Sequence, residues 1–331
     1  MGSNFIKPKS TLTTTCYQLH TPKIKTTANC LNAIALNKEK NLLVTTCSKD
    51  ITFYSIKKEQ LKKMQQIVTH DHNITLNIFQ NRKQFVIGSE NKSIKIWSLN
   101  LLSNAKYIIK LKGNSTIYLV IHPYEDKFMY GSKEKAIKIW SQNPSWLSQQ
   151  LDLGFIDKLK WQQINIFWLG QFNFDYGREK NKEWEVKQRI SVDKWEHRLT
   201  FINDKVFSFQ PVNIINRSWI GSTNLHLFIF ESISGQYTLN KKITVSCSCQ
   251  RCTSQSPQQY IPSKQILLIK NGHFLNLVQL KFVTSTKFEC ILAQAIEFSC
   301  ESLLGTLSED GYLLVSWNKS IYDIQIRILK P

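Results

Sequence analysis

Apolar and polar residues alternate in short runs along most of the chain, and small groups of polar residues separate the runs. Residues 85–98 (FVIGSENKSIKIWS) show the pattern, with an apolar run, a polar turn after Gly-Ser, and then Ile-Lys-Ile-Trp. A period of two is typical of strands that bury one face. The segment is therefore predicted to form a β-hairpin.

The same hairpin occurs again 43 residues later. Residues 128–141 (FMYGSKEKAIKIWS) are identical to residues 85–98 at nine of fourteen positions. Tyr54 lies another 43 residues before Trp97, in a run of the same kind. A unit that repeats at a period in the low forties has the length of one four-stranded propeller blade. The repeat therefore favours a β-propeller.

The spacing continues to the end of the chain with less sequence identity. Seven positions about 44 residues apart carry aromatic or apolar residues, namely Tyr54, Trp97, Trp140, Trp184, Phe228, Leu275 or Leu277, and Trp317. We therefore predict an all-β fold, a seven-bladed β-propeller of four-stranded antiparallel blades, over residues 26–331.

Residues 1–25 are predicted to be an N-terminal tail that could contribute a closing strand. A strand from the opposite terminus often completes the last blade of a propeller, because this removes exposed strand edges. Both residues 12–19 and residues 321–329 have a suitable pattern, and the second segment reads as an outer strand after Trp317. The sequence leaves the choice between them open.

The repeats resemble those of the WD-repeat family of β-propellers. The resemblance is carried by three groups of residues, which are Gly88-Ser89 with Trp97, Gly131-Ser132 with Trp140, and the turn Ser308-Glu309-Asp310-Gly311 with Trp317. It implies that each Trp ends the third strand of its blade and packs between blades. These residues, together with Tyr54 and Trp184, are thus expected to be structural.

The resemblance also implies a buried polar network. Trp97 would donate a hydrogen bond to Ser89, with His70 as a third member, and Trp140 would donate to Ser132. The chain departs from the family at the turn, where Asn91 and Glu134 replace the usual Asp, and the Gly-His dipeptide is missing. We therefore expect an incomplete network and a greater dependence on apolar packing.

No reactive constellation is evident. The chain lacks the nucleophile elbow Gly-x-Ser-x-Gly, the zinc-protease motif His-Glu-x-x-His and the Gly-rich phosphate loops. It has only 24 acidic residues, whereas propeller enzymes need acids or metal ligands in the central channel. We expect a protein that is not an enzyme and needs no cofactor or small-molecule substrate.

Two groups of residues could bind a metal. Cys247, Cys249 and Cys252 could hold zinc if His273 or Cys290 supplied a fourth ligand. Zinc sites usually combine two separated pairs, so we favour an exposed polar loop in which these thiols bind no metal. His70 and His72 could chelate from one strand, but no third ligand follows, so a structural role for His70 is the preferred interpretation.

The net charge of +19 raises nucleic acid or an anionic membrane as partners. Only seven of the 43 basic residues are Arg, and the lysines are spread along every strand. Readers of phosphate and base edges are typically Arg. We therefore expect neither nucleic acid nor membrane to be the partner. A phosphoinositide-binding or nucleic-acid-associated basic propeller stays as the alternative, although the motif Phe-Arg-Arg-Gly is absent.

The sequence lacks a secretory segment and a long apolar run, so its eight cysteines are interpreted as reduced thiols. The expected location is the cytoplasm, or the nucleus. The expected function is a scaffold for protein–protein interactions within a complex. Two connections, residues 173–182 and 247–259, are predicted to be its variable binding loops.

Overall fold

The structure of the protein is a computed structural model. It describes the backbone of residues 16–26, 30–69, 72–100, 106–113, 116–122, 124–132, 136–142, 145–152, 158–162, 165–169, 173–180, 183–191, 195–216, 218–248, 252 and 258–330. Between residues 151 and 197, side chains are described only at Gln188 and Ile190. His70, Cys249 and the side chain of Ser132 lie outside the described part of the chain.

The described strands form antiparallel sheets, numbered here 1 to 7 in the order of their first strands. The chain begins with β1 (Cys16–Lys25), which belongs to the last sheet. Sheet 1 contains β2 (Ala33–Leu36), β3 (Leu42–Cys47), β4 (Asp50–Lys57) and β5 (Gln60–Val68). Sheet 2 contains β6 (Asn73–Ile78), β7 (Gln84–Ser89), β8 (Ser93–Ser98) and β9 (Tyr107–Lys112). Sheet 3 contains β10 (Thr116–Ile121), β11 (Lys127–Ser132), β12 (Ala136–Gln142) and β13 (Trp146–Asp152).

The second half of the chain continues in the same way. Sheet 4 contains β14 (Lys158–Gln162), β15 (Asn165–Leu169), β16 (Asn173–Lys180) and β17 (Glu183–Ser191). Sheet 5 contains β18 (Trp195–Asn203), β19 (Val206–Ile215), β20 (Ser218–Gly221), β21 (Asn224–Glu231) and β22 (Gln236–Thr244). Sheet 6 contains β23 (Gln259–Ile261), β24 (Ile266–Asn271), β25 (Phe274–Phe282) and β26 (Phe288–Glu297). Sheet 7 contains β27 (Leu303–Leu307), β28 (Leu313–Asn318), β29 (Asp323–Lys330) and β1.

The sheets are arranged as in a β-propeller. The first strand of each sheet lies against the first strands of its two neighbours, and β2 lies against β27, so the inner strands close a ring. Apolar residues on facing sheets fill the spaces between them. The described side chains pack there as six hydrophobic clusters.

The predicted fold class, a seven-bladed β-propeller of four-stranded antiparallel blades, is wrong as stated. Sheet 5 has five strands, because β20 folds back onto the end of β19 beside β21. The described side chains pack as six hydrophobic clusters. Among the described side chains of sheet 4, Ile190 alone takes part in a cluster. A hydrophobic period alone cannot reveal the extra strand, because β20 is only four residues long.

The question of ring closure is settled by strand pairing. β1 pairs antiparallel with β29 from Cys16 opposite Lys330 to Lys25 opposite Asp323. The N-terminal strand is therefore the outer strand of sheet 7. The segment at 321–329, the other candidate for the closing strand, supplies the third strand. β1 covers the open edge that β29 would otherwise present to solvent.

The loop predicted at residues 173–182 is also wrong over most of its length. β16 (Asn173–Lys180) is a strand, paired with β15 on one side and β17 on the other. The segment is mostly polar, and its alternation of apolar and polar residues is weak and limited to Phe174 and Tyr176. The connection at 247–259 does lie between strands, because β22 ends at Thr244 and β23 begins at Gln259.

Candidate interaction surface

The ends of the ring are built from different turns. In an antiparallel sheet the turn between strands one and two lies at the opposite end from the turn between strands two and three. Five turns of the first kind are joined side by side on one rim of the ring. We call them the turn arc, and its described residues are 262–265, 308–312, 37–41, 79–83, 122 and 124–126 of sheets 6, 7, 1, 2 and 3.

Polar contacts join neighbouring turns of the arc. Lys40 Nζ lies 2.5 Å from Asp310 Oδ2, which links sheet 1 to sheet 7. Lys38 Nζ donates a hydrogen bond to Asn81 Oδ1 at 3.3 Å, which links sheet 1 to sheet 2. These contacts are exposed, so each contributes little to the free energy of unfolding. They hold the turns in register with one another.

A buried carboxylate makes the next link. Glu125 is 4% exposed, and its Oε1 accepts hydrogen bonds from the backbone N–H groups of Gln80 and Asn81. The bond from Asn81 is 2.9 Å long. A charge-assisted bond to backbone N–H groups is stronger than a neutral one, so Glu125 fixes the turn of sheet 2 to that of sheet 3.

The turn of sheet 7 is shaped by Asp310 and Gly311. Asp310 Oδ1 accepts hydrogen bonds from Ser308 Oγ at 2.6 Å and from Tyr312 N at 3.0 Å. Partial burial opposes ionisation, but the hydrogen bonds from Lys40 and Ser308 outweigh it and lower the pKa of Asp310. Gly311 has φ +67°, and a Cβ there would lie 2.8 Å from Lys264 Cγ. The turns of sheets 6 and 7 therefore meet at a residue that must be glycine.

Two tyrosines project from the turn arc. Tyr124 is 74% exposed, and its backbone N–H donates to His122 Nδ1 at 3.2 Å. Tyr312 is 37% exposed, and Lys40 Nζ lies 5.1 Å from the centre of its ring. Tyrosine and arginine are enriched at the centres of protein interfaces. Arg82, on the same arc, lies over the ring of Phe79.

The charges of the arc are mixed. Cations and carboxylates both occur on the turns, and the charged residues are Lys38, Glu39, Lys40, Arg82, Lys83, Glu125, Asp126, Lys264, Glu309 and Asp310. A track for a phosphate backbone would present cations without interspersed carboxylates. The arc therefore carries cations and carboxylates in similar numbers.

The repeat tryptophans of sheets 2 and 3 are buried, but their packing differs from the family pattern. Trp97 is buried on the third strand, β8, and stacks on Phe85 with ring centres 6.0 Å apart. Trp140 occupies the same place on β12 and stacks on Phe128 at 6.3 Å. Tyr54 lies on β4, the third strand of sheet 1.

The polar network implied by the resemblance is not formed at Trp97. Its Nε1 is buried, and no described residue accepts its hydrogen bond. Ser89 Oγ instead contacts Asn91 Oδ1 and lies 3.0 Å from Ser93 Oγ. Ser89 therefore closes its own turn, and stacked aromatic rings hold Trp97.

The expectation that each repeat tryptophan lies on the third strand of its sheet is wrong for two residues. Trp184 lies on β17, the fourth strand of sheet 4, opposite Glu179. Trp317 lies on β28, the second strand of sheet 7, where its Nε1 donates to Thr26 Oγ1 at 3.3 Å. A regular spacing misses these shifts because turn lengths differ between sheets.

The cysteine loop places one thiol among buried cations. Cys252 is fully buried and accepts hydrogen bonds from Arg198 Nη1 at 3.1 Å and from Gly272 N at 3.2 Å. Burial alone would raise the pKa of Cys252, but Arg198 and Lys270 outweigh it and lower the pKa. Cys247 Sγ donates a hydrogen bond to the carbonyl oxygen of Gly221 at 2.9 Å.

No sequence pattern singled out Lys270 or Arg198 as site residues. Both are fully buried between sheets 5 and 6. Burial, and then the positive charge of Arg198, lower the pKa of Lys270 to about 7. A lysine between Ile269 and Asn271 on a strand resembles any solvated lysine of this chain, so no sequence signal marked it.

The described residues contain no group of three His, Cys, Asp or Glu side chains that could hold a metal ion. His72 lies 3.4 Å from Ser48 Oγ, and His273 lies 3.8 Å from Glu301. Because Cys249 is outside the described residues, the preferred interpretation that Cys247, Cys249 and Cys252 bind no metal stays a prediction. No helix that could span a membrane occurs in the described ranges.

Comparisons with known proteins support the fold alone. No family profile matches the chain, and no curated protein matches it either. Among many solved chains with a similar fold, the Kuenenia stuttgartiensis hydrazine synthase has a TM-score of 0.69 and 11% sequence identity. The alignment covers 92% of this chain and 96% of that one. At this identity the similarity shows a shared propeller arrangement and does not extend to activity.

Proposed function

We propose that this protein is a non-catalytic, WD-repeat-like scaffold that binds a protein partner through the turn arc. The observation that carries the proposal is Tyr124, a tyrosine 74% exposed on a turn that buried Glu125 holds in place. An aromatic side chain on a rigid support loses little conformational entropy on binding. It is therefore suited to be an interface anchor.

The charge of the chain favours a partner with an acidic surface. The net charge is +19, which steers encounter with negatively charged proteins over long range. The mixed charges of the arc then provide specificity at close range, because Lys38 and the exposed Glu309 would each require an opposite charge on the partner. Phosphoinositides or nucleic acid would be expected to bind through cations alone.

The proposal is tested by removing the two tyrosines. The tagged chain and its Tyr124→Ala/Tyr312→Ala variant are compared by quantitative affinity purification, with purified candidate partners then titrated by calorimetry. Removal of both tyrosine side chains should lower the affinity for the partner by about tenfold or more. The matched control is Tyr322→Ala, since Tyr322 is similarly exposed but lies in a turn on the opposite rim.

A partner that binds wild type and the double variant equally would contradict the role of the turn arc. Liposome flotation and nucleic-acid titration are run on the same preparations. Binding to phosphoinositide vesicles, or nucleic-acid binding that falls steeply with salt, would support the alternative basic-propeller function and contradict this one.

A further inference from the structure

Two thiols lie in contact where the closing strand joins the first sheet. The Sγ atoms of Cys30 and Cys47 are 3.3 Å apart. A disulfide bond is about 2.05 Å long, so small side-chain rotations would bring the two sulfurs to bonding distance. Both side chains are partly exposed, so a small reagent in solution can reach them.

The two cysteines lie on either side of a structurally important connection. Cys30 is in the segment 26–32, which links the closing strand β1 to the innermost strand β2. Cys47 is the last residue of β3. The segment is attached to sheet 7 by Thr26 N, which donates to Tyr322 O at 2.6 Å, and to sheet 1 by Asn32 N, which donates to Thr46 O at 2.8 Å.

We propose that Cys30 and Cys47 form a reversible disulfide that fastens the segment between β1 and β2 to sheet 1. The bond would add a covalent link to a ring that hydrogen bonds and apolar packing otherwise close. This site is distinct from the turn arc and does not depend on the proposed function.

The reaction requires a low-molecular-weight disulfide such as oxidised glutathione. The thiolate of one cysteine attacks the glutathione disulfide, forms a mixed disulfide and releases one reduced glutathione. The second cysteine then attacks the protein sulfur of that mixed disulfide and releases the second glutathione. Two protein thiols are oxidised, one glutathione disulfide is reduced, and the two thiol protons end on the departing glutathiones.

The surroundings of Cys47 affect the rate of this exchange. Burial, and then its hydrogen bond with Cys30, raise the pKa of the Cys47 thiol to about 11. The thiolate is the attacking species, so oxidation is expected to accelerate as the pH rises from 7 to 9. At neutral pH the pair should persist as thiols unless the oxidant is in excess.

The test equilibrates the full chain in glutathione buffers of increasing oxidised fraction at pH 8.5. Free thiols are then alkylated, and peptide mass spectrometry locates any disulfide. A Cys30–Cys47 bond is expected to form with increasing oxidation and to disappear on addition of dithiothreitol. The oxidised chain should have a Tm higher by about 4 °C, since the bond closes a short loop of the unfolded chain.

Two variants separate the proposed pair from other thiols. Cys47→Ser should stop at a mixed disulfide of Cys30 with glutathione, without the Tm increase. Cys290→Ser, the control, should form the Cys30–Cys47 bond as wild type does. The proposal is overturned if Cys30 and Cys47 of wild type remain alkylatable in the most oxidising buffer, or if either one pairs with a different cysteine.

Discussion

The phenol of Tyr17 donates a hydrogen bond of 2.5 Å to the carbonyl oxygen of Gly311, 294 residues further along the chain. Gln294 also forms two hydrogen bonds with the backbone of Tyr17. Its Oε1 accepts from Tyr17 N at 2.7 Å, and its Nε2 donates to Tyr17 O at 3.1 Å. The closing strand is thus attached to the turn arc and to sheet 6. Loss of this attachment should weaken the closure of the ring.

The first prediction concerns Tyr17→Phe. Removal of the buried hydroxyl leaves the carbonyl of Gly311 without this donor and should lower the free energy of unfolding by about 1–2 kcal/mol. Burial, and then the charge of Asp310, raise the pKa of Tyr17 above its ordinary value of 10.0. Its contribution is therefore complete below pH 10 and is lost above it, where the unfolded chain ionises.

The measurement is urea denaturation of both proteins from pH 7 to 11. Wild type should lose more stability above pH 10 than Tyr17→Phe does. Parallel curves for the two proteins would show that Tyr17 is not protected from ionisation in the folded state.

The second prediction concerns Glu125. Glu125→Ala should lower the free energy of unfolding by about 2 kcal/mol, because two backbone N–H groups lose their acceptor. Glu125→Gln keeps one acceptor oxygen and should lose about half as much. Glu309→Ala, on an exposed position of the same arc, is the control and should be nearly neutral. Equal losses for Glu125→Gln and Glu125→Ala, measured by urea denaturation, would contradict the proposed acceptor role.

The third prediction tests how Trp97 is held. If stacking on Phe85 dominates, Trp97→Ala should lower the free energy of unfolding by about 4 kcal/mol. Trp97→Phe should lower it by less than half as much. A double-mutant cycle of Ser89→Ala with Trp97→Phe should give a coupling energy below about 0.5 kcal/mol. A larger coupling energy would mean that Trp97 donates a hydrogen bond to Ser89, as the WD-repeat pattern implies.

The fourth prediction concerns Lys270. Its folded pKa is about 7, whereas the unfolded chain titrates near 10.5, so only the unfolded chain holds the proton between these values. The contribution of this group should therefore make the free energy of unfolding rise across that window, by at most about 1.4 kcal/mol per pH unit, and stay constant below pH 7.

Lys270→Met should remove that slope. Both proteins are also compared in a Cys252→Ser background, because Lys270 lowers the pKa of Cys252 as well. If the free energy of unfolding depends on pH in the same way in wild type and in Lys270→Met, the prediction is wrong. Lys270 would then be charged in the folded protein at neutral pH.

Local patterns along the chain were sufficient to predict the strands around Trp97 and Trp140. Alternation of apolar and polar residues reports directly on which side of a strand is buried, and both tryptophans lie where that pattern placed them. The Asp310 and Gly311 turn was also recognisable, since a left-handed backbone, as at position 311, favours glycine. These features depend on neighbours in sequence.

The sequence by itself determined an all-β chain with hairpins repeated at a regular interval, because that information lies in the burial of alternate residues. Only the tertiary structure decided that β1 rather than β29 is the outer strand of sheet 7, that β20 widens sheet 5, and that Trp317 lies on a second strand. It also brought Arg198, Cys252 and Lys270 together. Those outcomes depend on contacts between residues far apart in the chain, which a repeat period of about 44 residues does not encode.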